Sequence, residues 1–150
     1  MKKLLVLVVA ILAGYAYLSS QHSTSKKNVS DSISDQSASK IDSVIAEAFA
    51  NHKSNLQVSG EGTVIRLLPD DNSGSRHQKF IIALSSGQTI LVAHNIDIAP
   101  KIGFLREGDF VQFSGEYEWN EKGGVLHWTH RDTNGSHVAG WLKHQGQTYQ

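Results

Sequence analysis

From Leu56 onward the chain is written in short runs in which apolar and polar side chains alternate, and each run closes on Gly, Pro, Asn, Asp or Ser. A period of two puts alternate side chains on opposite faces of an extended backbone. Every run therefore has one face to bury and a turn that sends the chain back, which restricts the fold to antiparallel sheet wrapped around its own apolar side.

The first run, Leu56 to Leu68, alternates loosely around Gly60 and Gly62, which predict a bulge or strong bend, and ends in the turn chemistry of Pro69 to Gly74. His77 to Leu84 and Gln88 to His94 flank Ser85-Ser86-Gly87, a hairpin spacing, with Phe80, Ile82 and Leu84 on one face. A longer connection through Pro100 leads to Leu105-Arg106-Glu107-Gly108-Asp109, which launches Phe110 to Trp119 with Val111, Phe113, Tyr117 and Trp119 facing the core. Asn120 to Gly124 turns onto Val125 to Asp132, and the tail to Gln150 folds back to bury Trp141 and Tyr149. Five strands, a bent first strand and a long third connection predict a mainly β fold over residues 54–150, a small five-stranded OB-like Greek-key barrel, with a generic β-sandwich as the alternative.

Ahead of it, Ile41, Val44, Ile45, Ala48 and Phe49 recur at helical spacing and predict one amphipathic helix over residues 40–53, capped by Ser39 with Asp42 in its first turn. The stripe is read as packing against the sheet. Residues 21–39 are polar and aperiodic, the composition of a disordered tether. In residues 1–20, Lys2 and Lys3 precede an apolar run from Leu4 to Leu18, the pattern of a signal peptide or a membrane anchor. The expected location is thus outside the cytoplasm, periplasmic or held on the inner membrane, with membrane contact only through an uncleaved N-terminal segment.

From Leu56 onward eight Lys/Arg stand against ten Asp/Glu, without a basic stripe, so non-specific nucleic-acid binding is disfavoured. The absence of cysteine removes disulfides, thiolate metal sites and a Cys nucleophile. No P-loop, dinucleotide fingerprint or nucleophile elbow is present.

Five segments, LLPDDNSGSRHQKFI (67–81), AHNIDIAP (93–100), GDFVQFSGEYEWN (108–120), GGVLHWTHRD (123–132) and GWLKHQGQTYQ (140–150), carry a resemblance over Gly62 to Gln150. The chain resembles a small family of exported bacterial proteins defined only as a domain of unknown function. The resemblance implies export and brings no activity with it. Gly108-Asp109-Phe110-Val111 with Gly115 also looks like the fourth strand of many OB domains.

Histidine is the chemistry-bearing residue of the β part. In a hairpin His77 and His94 lie at the same end, so their imidazoles are expected to be neighbours. With Arg76, Gln78, Asn95 and Asp97 they form a candidate site for an anion, a water or a divalent metal, with His137 as a third metal ligand. On a regular fifth strand Leu126, Trp128 and His130 share one face while His127, Thr129 and Arg131 share the other, so HWTH is not read as an HxxH metal motif. His127, His130, Arg131 and Asp132 join the candidate ligand-binding set. Asp70 and Asp71 are read as a solvated turn, and Glu116 and Glu118, about 7 Å apart on an extended strand, as a charged outer face. Two functions stay open: a binding module for an unidentified ligand or protein partner, and a small His-dependent, metal-assisted hydrolase, conceivably of phosphodiesters.

Overall fold

The computed structural model describes residues 40–150. The apolar segment, the tether and the Ser39 cap lie outside them. Helix α1 spans residues 40–50 and is followed by seven strands: β1 (Leu56–Leu67), β2 (His77–Ala83), β3 (Thr89–Asn95), β4 (Phe110–Glu118), β5 (Val125–His127), β6 (Trp141–His144) and β7 (Gln147–Tyr149).

The first five strands close into a barrel in the order β1-β2-β3-β5-β4, with β4 returning to β1. Every neighbouring pair is antiparallel except β3 and β5. This is the OB-like arrangement expected from the alternating runs. β1 serves two partners: Leu56 to Thr63 pairs with β4, and Thr63 to Leu67 with β2. Gly60 and Gly62 lie in the stretch leading to that hand-over, where a Cβ on Gly60 would meet Ile41 and Phe113, and one on Gly62 the carbonyl of Ala83. The bulge itself falls later than the glycines predict, between Val64 and Arg66.

Alternation delivers the core as expected: Val64, Phe80, Ile82, Val92, Val111, Phe113, Tyr117, Leu126 and Leu142 are fully enclosed. Within α1, Ile45 and Ala48 are buried and Ile41 packs beside them. Two details depart from the helical stripe. Val44 is exposed, and Asp42, expected only to favour the helix dipole, is buried. Its carboxylate accepts hydrogen bonds from the Ser85 hydroxyl (2.6 Å) and the Ser86 amide (2.7 Å), fastening α1 to the β2–β3 turn. The helix also stops earlier than residue 53. His52 adopts a left-handed φ of 54° and the Lys53 amide donates back to the Ala48 carbonyl, closing the C-terminus in a Schellman-type turn.

The largest correction concerns the fifth strand. It was expected to run to Asp132 but ends at His127, because Trp128 takes a left-handed φ of 51°, a costly conformation for a bulky residue that breaks the period of two. The chain leaves the sheet over residues 128–140 and re-enters beside β4 as β6. Glu116 pairs with His127 and Ser114 with Trp141, so β5 and β6 are two halves of one line along β4. What looked like a tail is therefore a β6–β7 hairpin, which buries Tyr149 as expected and leaves Trp141 half-buried.

Gly140 closes the excursion, its amide donating to the His130 carbonyl (2.9 Å). A Cβ there would run into the carbonyl oxygens of Trp128 and Ser114, both backbone. Gly140→Ala is expected to destabilise the fold by about 2 kcal/mol through overpacking. A urea midpoint unchanged from the parent would contradict that account of the re-entry.

Candidate functional site

Side chains of β2, β3, β5 and β4 that point away from the core form a groove. Two adjoining recesses, of ≈ 400 Å³ and ≈ 390 Å³, share His77, Ala93 and His127. The first adds Asn95, Ile98, Glu116, Glu118, Trp128 and His130, and the second adds Asp71, Ser73, Lys79, Leu91, Asn120 and Val125. The register explains the convergence. Lys79 pairs with Ala93, Glu116 pairs with His127, and β3 adjoins β5 at Leu91–Val125 and Val92–Leu126, so one transverse row crosses four strands. Ala93 is the small residue in that row, and its missing bulk leaves the depression. The first turn (Asp71, Ser73) and the β4–β5 turn (Asn120) stand at one end, the 128–140 excursion at the other.

The sequence expectation that His77 and His94 are neighbours is not met. They sit at the same end of the hairpin, but His77 pairs with Asn95 and Gln78 with His94, so the two rings face opposite sides of the sheet. His94 is fully buried. Its Nε2–H donates to the Pro100 carbonyl (3.1 Å), which leaves Nδ1 to accept from the Thr129 hydroxyl (2.9 Å). Burial depresses its pKa to about 4, so this is a neutral core histidine with both nitrogens satisfied. Gln78 is likewise internal, its amide bracketing Ile102 by donating to the carbonyl (3.0 Å) and accepting from the amide (2.9 Å).

Arg76 and Asp97 clasp the loop ends. The Asp97 carboxylate accepts from the Arg76 amide (2.8 Å) and Nε (2.6 Å), which holds its pKa below the usual carboxylate range, and Asn95 Oδ1 accepts from the Asp97 amide (3.0 Å). Asp132 is spent inside the excursion, where it accepts backbone N–H groups of Asn134, Ser136 and His137 and its pKa is held down by them. Arg131 is exposed. Asp70 and Asp71 are engaged by Lys101 and by Ser73 and Lys79, in keeping with a turn.

The proposed metal trio does not form. His94 is in the core, His77 is in the groove, and His137 stacks on Trp128 (centroids 3.8 Å, 13°) with Nδ1 3.4 Å from Glu116. Among the described residues no three His, Asp or Glu side chains converge to hold a metal ion. The regular alternation assumed for HWTH also fails. Beyond the left-handed Trp128, Thr129 turns into the core and His130, only 4 % exposed, lines the groove beside His127.

The groove thus holds His77, Asn95, His127 and His130 from the candidate set, together with residues that sequence reasoning had set aside or overlooked. Glu116 and Glu118 had been weighed as a charged outer face, and Trp128 as sharing the strand face of Leu126 and His130. Two imidazoles are oriented by carbonyls: Nδ1–H of His77 donates to Ser75 (2.8 Å) and Nδ1–H of His130 to Arg131 (2.9 Å), so each neutral ring carries its lone pair on Nε2. The pKa of His127 is lowered, chiefly by burial and secondly by nearby His77, against the opposing pull of Glu118.

The depressed His94 has a thermodynamic consequence. The unfolded chain takes up a proton near pH 6.5 and the folded one only near pH 4, so this residue's contribution is complete above pH 6.5 and is lost as pH falls towards 4. The loss is expected to reach about 3 kcal/mol. His94→Gln, which keeps hydrogen-bonding capacity without titrating, is expected to flatten the dependence of the urea midpoint across that window. Identical pH profiles for parent and variant would contradict it.

No curated protein matches the chain. A family model described as "Protein of unknown function (DUF3465)" matches residues 28–150, which takes in α1 and the whole barrel and reaches further towards the N-terminus than the resemblance read from Gly62. An OB-like barrel with a polar groove across its strands, closed at one end by a strand excursion, is therefore the described part of a chain that belongs to the DUF3465 family.

Proposed function

We propose that this protein is a binding module whose ligand lies in the groove across β2, β3, β5 and β4. The observation that carries the reading is the gathering of unspent polar groups around a small floor residue: His77, His127, Glu116 and Glu118 surround Ala93, while the competing candidates Gln78, His94, Arg76, Asp97 and Asp132 are used up in holding the fold. OB barrels bind along the corresponding face, between the first and fourth turns. A metal-assisted hydrolase draws no support from the geometry, since its ligand trio is dispersed. Filling the depression with Ala93→Phe leaves the core face of β3 untouched. Amide shifts of the labelled full chain can be followed against a panel of neutral oligosaccharides, polyamines and short oligonucleotides. Shifts are expected to cluster at His77, Ala93 and His127 for at least one class and to vanish in Ala93→Phe. Shifts clustering elsewhere, or none with any class, would retire the groove.

We further infer that the module works outside the cytoplasm, on the strength of Lys2, Lys3 and the apolar run from Leu4 to Leu18. A fusion of residues 1–39 to a reporter enzyme active only in the periplasm is expected to be active. A reporter silent despite normal expression would refute export through this segment.

A further inference from the structure

The end of the groove nearest β4 concentrates carboxylates. Glu116 and Glu118 sit two residues apart on the outward face of β4, with His127 opposite Glu116. Glu118 has no ion-pair partner among the described residues, and Glu116 approaches only His137 Nδ1, at 3.4 Å. His130 supplies an independent sign. It is 4 % exposed, its Nδ1–H is committed to the Arg131 carbonyl, and its Nε2 has no partner among the described residues. That nitrogen is not among the sealed, unsatisfied atoms of the interior, and the residue lines the groove. Across the groove on β2, His77 likewise has Nδ1–H held by Ser75 and no partner for Nε2 among the described residues.

The groove's own neutral donors at this end are the Trp128 indole N–H, one ring N–H of His127 and the Asn95 amide. Asn95 keeps its amide N–H groups, because its oxygen accepts from Asp97. Lys79 lies towards the other recess, 3.5 Å from Asp71. Burial also keeps His127 from contributing a competing positive charge at neutral pH. Two carboxylates and the His130 lone pair call for a partner that donates several hydrogen bonds and carries positive charge. An ammonium group has that inventory: three N–H donors and no acceptor. A phosphate or carboxylate ligand would meet repulsion, and a neutral polyol would leave the carboxylate charge unbalanced in a half-enclosed site.

We propose that the β4 end of the groove binds an organic ammonium ion, as carried by a linear polyamine or an amino sugar, on Glu116 and Glu118, with His130 Nε2 as the accessory acceptor. The proposal rests on the groove being the binding site and narrows it to one ligand class.

The test uses the full chain, titrated at constant ionic strength with spermidine, glucosamine, neutral chitotriose and potassium chloride, read by calorimetry and by tryptophan fluorescence, to which Trp128 contributes. At least one amine is expected to bind saturably, chloride to do nothing, and the double variant Glu116→Gln/Glu118→Gln to bind that amine about tenfold or more weakly while melting like the parent. Tighter spermidine would assign a linear polyamine, and tighter glucosamine an amino sugar. If neither amine saturates, or the double variant binds as the parent does, the ammonium proposal fails. If in that case chitotriose saturates and is lost in Ala93→Phe, the groove stands as a binding site and only its ligand class was wrong. If no probe here, and no short oligonucleotide, binds in an Ala93-dependent way, both readings fall together.

Discussion

Closure of the barrel through β1 and β4 is the constraint on which the other features rest. Eight consecutive register pairs, from Leu56 with Tyr117 to Thr63 with Phe110, join the first strand to the fourth. A sheet left open along that seam would expose two rows of unpaired amides and carbonyls and would let water reach Phe113 and Tyr117. Once the seam is made, β4 has one free side. β5 and β6 take it in turn, at Glu116 to Glu118 and at Val111 to Ser114.

That sharing of a single strand side makes the site possible. A continuous fifth strand would leave a flat outer surface. Here the strand is interrupted for residues 128–140, at the expense of a left-handed Trp128, and the interruption brings Trp128 and His130 to the end of the groove. The excursion is held by its own interior bonds rather than by apolar burial: Asp132 collects three backbone amides, His137 stacks on Trp128, and Gly140 ties back to His130. Such segments open at lower free energy than the strands that frame them. The part of the molecule that completes the groove is therefore held mainly by local polar contacts.

The polar residues divide into two populations with different physical roles. Asp42, Gln78 and His94 are buried and fully engaged, and each joins elements distant in sequence: helix to hairpin turn, β2 to the long connection, and β3 to Thr129 and Pro100. Removing any of them would strand a partner without water to replace it. Glu116, Glu118, His77 and His130 sit on the opposite face with capacity to spare. Sequence reading merged the two populations at His77 and His94, because nearness along a hairpin is easily inferred whereas the face is decided by register. One residue of offset sends a side chain to the other side of the sheet.

The amino-acid sequence by itself determined the class of fold and most of the apolar core of the barrel, because alternation and turn chemistry are local properties and a period of two leaves little choice of which face is buried. It also pointed to histidine as the residue to watch. Which histidines share a space was decided only by tertiary structure. The β4 line divided between β5 and β6, the left-handed Trp128 and the pairing of Gln78 with His94 all arise from competition among distant segments for hydrogen-bond partners, and no window of sequence contains that competition.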